Sequence, residues 1–170
     1  MLKEKNQCCL VIPEGFVSEC SILFKLSLDY AKQYPNQQFI WRLHPLLNFD
    51  DIRKHGVPVN SLPSNIHLSK DSLDNDIKKC NSALYSGSTA IVNAISAGLK
   101  PIYYKQSTDE LSIDPIYQQQ QVKDIISNKN ELHLAFNKNI DAKTRQALQD
   151  FAQDFYTPLN VNALLNEIVC

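Results

Sequence analysis

Three hydroxyl side chains lie close together in one short stretch near the middle of the sequence. The apolar run Ala83–Tyr85 is followed by Ser86, Gly87, Ser88 and Thr89, and a second apolar run comes directly after them. Such hydroxyls can donate hydrogen bonds to a phosphate, a glycine lets the backbone approach a ligand closely, and a helix start attracts anions. We predict a phosphate cradle at this turn, although serine and threonine are also common helix caps that need no ligand.

A histidine at the end of another apolar run could donate to the same anion. The motif Trp41–Pro45 contains Arg42 and His44, which would share one face of an extended strand because alternate residues do so. The proline ends the strand and leaves His44 at its carboxyl tip, where an imidazole can donate to a phosphate oxygen. The alternative is an ordinary surface histidine, or one paired with Asp50 or Asp51.

Alternating strands and helices must position these groups. Apolar runs predict strands at Cys8–Ile12, Gln38–Leu43, Asn65–Leu68, Ser82–Tyr85 and Ile102–Lys105. Helical spacing and capping residues predict helices at Ser18–Gln33 (with Ser18 as the cap), Phe49–His55, Asp71–Cys80 and Ser88–Ala97. This order predicts an α/β fold, a Rossmann-like three-layer αβα sandwich with a parallel sheet. The polar turns that follow the strands would then meet at one edge of the sheet, where ligands bind.

The remainder of the chain is more polar and less regular. We predict a loop at Gln106–Pro115 and helices at Val122–Ser127, Asn130–Asn137, Ala142–Phe155 and Asn160–Val169. The domain organisation predicted from this change is an α/β nucleotide-binding core over residues 1–105. A helical carboxyl-terminal extension over residues 106–170 would pack on the same domain.

Composition excludes several classes of function. The 170 residues include 17 basic and 18 acidic side chains without a long basic run, so a nucleic-acid partner is not expected. No signal peptide or transmembrane segment is evident. The five cysteines show no paired spacing and are expected to be free thiols, and no metal-ligand spacing stands out. Asp74 and Asp76 are expected to face solvent on their helix.

The two motifs together resemble a known family. A strand with Arg-x-His-Pro, followed about forty residues later by a strand with Ser-Gly-Ser-Thr and an apolar helix, resembles the carboxyl-terminal domain of GT-B glycosyltransferases. The resemblance covers roughly Cys8 to Tyr104. The pattern is most similar to bacterial sialyltransferases and polysialyltransferases and to CDP-glycerol glycerophosphotransferases, which act in surface polysaccharide synthesis.

The resemblance implies roles for single residues. His44 would bind the donor phosphate as the catalytic residue, and Arg42 would belong to the donor site. Ser86, Ser88 and Thr89, with Gly87 between them, match the family's serine motif. Because the family has a plain Ser-Ser pair there, which hydroxyl acts stays open.

Two further loops receive roles from the same resemblance. Glu14 and Gly15 follow the first strand, where GT-B enzymes often place a glycine-containing phosphate loop. Glu14 would bind a ribose hydroxyl or hold the loop, or it would be a solvent-exposed turn residue. Leu68 and Ser69, after the third strand, lie where backbone groups of this fold contact the base.

The implied function is a donor-binding domain of a cytoplasmic glycosyltransferase, located either free or at the inner face of the membrane. Its substrate would be a sugar or polyol linked to CMP, CDP or UDP, without a metal or other cofactor. An amino-terminal acceptor domain, in cis or in trans, would complete the enzyme. Two alternatives remain: a non-catalytic nucleotide-binding module, and a flavodoxin-like interaction domain.

Overall fold

Residues 7–105 and 114–155 are described in the structure, which is a computed structural model. Within these ranges the strands are β1 (Cys8–Ile12), β2 (Gln38–Trp41), β3 (Ile66–Leu68), β4 (Ser82–Tyr85), β5 (Lys100–Tyr104) and β6 (Asp124–Ile126). They form one sheet in the order β3-β2-β1-β4-β5-β6, and every neighbouring pair is parallel. The predicted α/β Rossmann-like fold with a parallel sheet is therefore confirmed.

Helices cover both faces of the sheet. They are α1 (Val17–Gln33), α2 (Phe49–Lys54), α3 (Leu73–Lys79), α4 (Ala90–Ser96), α5 (Lys129–Asn137) and α6 (Ala142–Phe155), with a short 3-10 turn at Tyr117–Gln119. Helices α1, α2 and α5 share one core with the sheet, and α3, α4 and α6 share the other. Alternate residues of β1 enter the two cores, which explains why all five are buried.

The last strand corrects one prediction. The helix predicted at Val122–Ser127 is wrong, because residues Asp124–Ile126 form β6 and pair with β5. Val122, Ile125 and Ile126 have the three- and four-residue spacing of a helix face, but pairing with the exposed edge of β5 determines the local structure. The sheet consequently continues beyond residue 105. The helix predicted at Asn160–Val169 lies outside the described residues, as does most of the loop at Gln106–Pro115.

The start of α1 also differs from the prediction. Phe16 is the N-cap and makes no side-chain capping bond, while Ser18, the predicted cap, lies inside the helix. The prediction of free thiols is confirmed for Cys8, Cys9, Cys20 and Cys80, all of them buried, and Cys170 lies outside the described residues. Burial as small apolar groups accounts for these four side chains.

Candidate functional site

The strand order creates a crevice between β1 and β4. The chain runs outward from β1 to β2 and β3 and then returns to place β4 on the other side of β1. Ile12 is opposite Tyr85, so these two strands end level with each other. Ligands of open α/β sheets bind at such a switch point, outside the carboxyl ends of the strands. The loop after β1 and the turn after β4 flank it.

Glu14 and Gly87 connect the loop after β1 to the turn after β4. Gly87 has a φ of +69°, a backbone conformation that residues with a side chain rarely adopt. A Cβ atom built on Gly87 would overlap Oε1 and Cδ of Glu14. The carboxyl group of Glu14 therefore occupies the space that the missing side chain of residue 87 leaves open.

Gly15 and His44 connect the loop after β1 to the segment after β2. A Cβ atom on Gly15 would lie 3.5 Å from Cγ and from Nδ1 of the His44 ring. The backbone N–H of Leu46 donates to Nδ1 of His44 at 3.3 Å, so in the neutral ring the proton is on Nε2. His44 is exposed and can thus offer an Nε2–H donor to a ligand. The three loops that the sequence predicted to converge lie side by side.

The turn after β4, residues 86–89 (the hydroxyl turn), contains three hydroxyl groups that could bind a ligand. Helix α4 begins at Ala90, two residues later than predicted, so Ser86, Ser88 and Thr89 all lie in the turn before it. Thr89 is the N-cap residue but makes no side-chain capping bond. Within the described part of the chain, none of the three hydroxyls has a hydrogen-bond partner. Helix capping therefore does not explain why these hydroxyls are present.

Replacing Ser88 with alanine should separate ligand binding from folding. Because the hydroxyl has no hydrogen-bond partner among residues 7–105 and 114–155, the free energy of unfolding should change by less than about 0.5 kcal/mol. If a nucleotide phosphate binds at this turn as the sequence predicts, loss of one hydrogen bond to it should weaken binding about tenfold. Urea denaturation and nucleotide titration would measure the two effects.

Ser72→Ala is the matched control for this substitution. The Ser72 hydroxyl accepts a bond from the Asn75 backbone N–H and caps α3. Its loss should cost about 1 kcal/mol of stability and leave nucleotide binding unchanged. A Ser88→Ala protein that loses stability as Ser72→Ala does, with unaltered binding, would show that Ser88 is only a capping residue.

Arg42 and Ser69 are held by a buried carboxylate. The Arg42 guanidinium donates to Oδ2 of Asp76 at 2.9 Å, to Oγ of Ser69 at 3.2 Å and to the carbonyl oxygen of Asp71 at 2.7 Å. The Ser69 hydroxyl also donates to Asp76, at 2.5 Å. Arg42 is the first residue after β2, and its side chain lies against α3. That Arg42 and His44 share a face stays a prediction.

Within this network, the environment predicted for Asp76 from the sequence is wrong. Asp76 was expected to face solvent, but its side chain is only 2% exposed. A buried carboxylate needs a positive or donating partner, and Arg42 and Ser69 both donate hydrogen bonds to Asp76. Their placement in the donor site stays a prediction, in which Asp76 would orient them.

Leu68 and Ser69 lie at the end of β3, next to β2. Leu68 is half-buried against the core on the α1 side, and the backbone N–H of Ser69 donates to the Trp41 carbonyl at 2.8 Å. These backbone groups extend the same carboxyl edge of the sheet. Contact with a base at this position stays a prediction.

A buried ion pair anchors the residue before the hydroxyl turn. Tyr85, the last residue of β4, donates its hydroxyl to Oδ1 of Asp114 at 3.0 Å. Asp114 also pairs with the Lys123 ammonium group, which donates to the Ile116 carbonyl at 2.8 Å. Burial, followed by the charge of Asp114, raises the pKa of Tyr85, so this hydroxyl remains a neutral donor. The sequence did not indicate this network, since Asp114 belongs to a segment without periodicity.

Two cavities lie away from these loops. One of about 390 Å³ lies between α3, α4 and α6, and one of about 350 Å³ is lined by Lys100, Lys138 and residues at the amino ends of strands. No predicted site residue lines either of them. In residues 7–105 and 114–155 there is no group of three or more side chains placed to hold a metal ion. No helix within those ranges is long and apolar enough to cross a membrane.

Comparison with known proteins gives matches only at the level of structure. No protein-family model matches the chain, and no curated protein matches it significantly. Among solved structures, the glycosyltransferase SnogD from Streptomyces nogalater matches 89% of this chain with a TM-score of 0.59 at 12% identity. The glycotransferase of kitacinnamycin matches 98% with a TM-score of 0.65 at 9% identity. UDP-GlcNAc 2-epimerase from Neisseria meningitidis, bound to UDP-GlcNAc, matches 99% with a TM-score of 0.59 at 18% identity.

These matches establish the fold. The domain has the Rossmann-like fold found in GT-B glycosyltransferases and in nucleotide-sugar epimerases. The chain spans 40%, 44% and 46% of the three matched chains, which is less than half of each.

Proposed function

We propose that this chain is the donor-binding domain of a glycosyltransferase that acts in cell-surface polysaccharide synthesis. The observation that carries the proposal is the convergence, at one switch point, of His44, Gly15 and the hydroxyls of Ser86, Ser88 and Thr89, which have no hydrogen-bond partner among the described residues. Polar groups without protein partners at the ligand edge of a parallel sheet are suited to an anionic ligand. The ligand in this proposal is the phosphate of a CMP-, CDP- or UDP-linked sugar or polyol.

The matched structures support this choice of ligand class. They include two glycosyltransferases and an epimerase solved with UDP-GlcNAc. Because the chain spans less than half of each, the acceptor site is proposed to come from an amino-terminal domain, in cis or in trans. On this proposal the chain by itself binds the donor, and transfer requires the second domain.

The chemistry of transfer explains the residue types. Breaking the bond between the sugar or polyol and the nucleotide leaves negative charge on the departing phosphate. Hydrogen-bond donors held in place before the reaction stabilise such charge most strongly in the transition state. The Nε2–H of His44 and the hydroxyls of Ser86, Ser88 and Thr89 would supply these donors. The Arg42–Asp76 ion pair would hold the neighbouring loops in position.

A nucleotide panel tests the proposal with His44→Ala as the informative variant. Binding of CMP, UDP, CDP-glycerol or UDP-N-acetylglucosamine should raise the melting temperature, since ligand at about 100 times Kd stabilises by about 2.7 kcal/mol. Loss of the imidazole donor should weaken the binding about 10- to 100-fold, the value of a hydrogen bond to a charged group. Thermal-shift titration at increasing ligand concentration measures both effects.

The controls separate the site from the rest of the surface. His55 is also exposed and lies at the end of α2, so His55→Ala should bind nucleotide as the unaltered protein does. Cytidine and uridine, which lack phosphate, should give much smaller shifts. No shift with any nucleotide at millimolar concentration would overturn the proposed function. Equal shifts for His44→Ala and the unaltered protein would remove His44 from the site.

A further inference from the structure

The carboxyl group of Glu14 lies where a bound phosphate would have to approach. It packs on Gly87, in the middle of the hydroxyl turn, and its own loop contacts His44 through Gly15. An ionised carboxylate at this place would repel an anionic ligand. Donor binding at this turn therefore requires that Glu14 either moves away or becomes neutral.

The side chain of Glu19 is a second carboxyl group near Glu14, and its proximity disfavours ionisation of Glu14. Glu19 lies in the first turn of α1, and its Oε2 atom is buried without a hydrogen-bond partner in the described part of the chain. Burial, followed by the nearby Glu19, raises the pKa of Glu14 to about 7. A carboxyl group in these surroundings carries a proton at neutral pH in a large fraction of molecules.

In the part of the chain that the structure describes, few other titratable groups adjoin Glu14. The β2–α2 segment contributes His44, and α1 contributes Glu19 and the Cys20 thiol, which donates to the Glu14 carbonyl oxygen at 3.2 Å. Burial raises the pKa of Cys20 to about 12, so this thiol stays neutral near pH 7. The turn after β4 contributes hydroxyls and a glycine, none of which is charged.

We infer that Glu14 is a ligand-binding residue that takes up one proton when the donor binds and donates it in a hydrogen bond to a phosphate oxygen. This inference rests on the proposed function. The proton comes from the buffer or solvent acid, whose bond to hydrogen breaks as the O–H bond of the carboxyl group forms. The carboxyl O–H then donates, and the phosphate oxygen accepts. The Glu14 carboxylate, which would repel a phosphate in the empty site, would thus become a hydrogen-bond donor to the phosphate in the occupied site.

The sign of the pH dependence follows from this linkage. Binding requires protonated Glu14, so the affinity is full well below pH 7 and falls as pH rises through 7. With a free pKa of about 7, the apparent Kd should increase about 30-fold between pH 6 and pH 8.5. CDP-glycerol and UDP-N-acetylglucosamine are suitable probes because their phosphates are diesters and keep their charge over this range.

Calorimetric titration of Glu14→Gln tests the inference. The glutamine amide is neutral and can donate at every pH, so its Kd should vary by less than about threefold over the same range. Titration of the unaltered protein at pH 8 in HEPES and in Tris should show uptake of about one proton for each ligand bound. Glu19→Gln removes one neighbour that favours protonation, so it should move the loss of affinity to lower pH without abolishing it.

His44→Gln is the control for the other titratable group. It should weaken binding at all pH values but retain the pH dependence of the unaltered protein. If Glu14→Gln shows the same pH dependence as the unaltered protein, or if no proton is taken up, Glu14 does not share a proton with the ligand, and the proposed function still stands. If neither CDP-glycerol nor UDP-N-acetylglucosamine binds at any pH, the proposal that this chain binds a nucleotide-linked donor is wrong.

Discussion

Replacing Asp114 with alanine is expected to lower the free energy of unfolding by about 3 to 5 kcal/mol, the cost of breaking a buried ion pair on one side. The Lys123 side chain is 1% exposed and that of Asp114 is 5% exposed, so water cannot replace the lost partner. The Tyr85 hydroxyl and the Ile116 backbone N–H would lose their acceptor in the same substitution. Urea denaturation followed by circular dichroism measures the effect.

Two variants identify the cause of this loss. Asp50 pairs with Arg53 on the surface, where its side chain is 76% exposed, and Asp50→Ala should change stability by less than about 0.5 kcal/mol. Replacing both partners, as in Asp114→Leu with Lys123→Met, should recover part of the loss, because no unpaired charge remains. The Tyr85 hydroxyl and the Ile116 backbone N–H still lack their acceptor in this double variant. A cost for Asp114→Ala no larger than that for Asp50→Ala would show that the pair adds nothing to stability.

Gly87→Ala should have the largest effect on ligand binding. The new methyl group would displace the Glu14 carboxyl and occupy the centre of the hydroxyl turn, so nucleotide affinity should fall at least about 100-fold. The positive φ of residue 87 adds a loss of about 1 to 2 kcal/mol in stability, because a side chain strains this backbone conformation. Nucleotide titration and urea denaturation on one preparation give both values.

Gly98→Ala is the matched control for backbone strain. Gly98 has a φ of +84°, and a Cβ there would meet Arg145 and Gln149 only at ordinary distances of 3.5 Å. It should lose similar stability and keep full nucleotide affinity, since it lies at the end of α4 away from the site. Removing the Glu14 side chain as well, in Gly87→Ala with Glu14→Ala, should relieve the overlap but leave the strain. Normal affinity in Gly87→Ala would exclude this turn as the phosphate site.

The sequence alone predicted much of the fold, because local patterns decide most of it. Strands β1 and β4 and helix α6 have the predicted bounds, since each is a run whose periodicity fits one kind of structure. Strand β6 was predicted as a helix because its three residues form a strand only by pairing with β5. Pairing partners of this kind come from distant parts of the chain and leave no local signal.

Prediction of the site was limited by the same physical cause. The meeting of the loops followed from the rule that parallel strands end at one edge, which sequence order alone supplies. The partners of single side chains did not follow from it. Asp76 was expected to face solvent because it is a charged residue on a short helix, yet Arg42 and Ser69 enclose it. The contact of Glu14 with Gly87 depends on two backbone paths that no spacing in the sequence specifies.

That contact between Glu14 and Gly87 also limits how the chain can evolve. Gly87 leaves space because it has no side chain, and Glu14 fills that space. Positions 87 and 14 should therefore covary in an alignment of natural relatives. An amino acid with a side chain at position 87 should occur together with a short residue at position 14. A lineage that replaces the glutamate first avoids the overlap, whereas the reverse order first has to displace the Glu14 carboxyl from its place on residue 87.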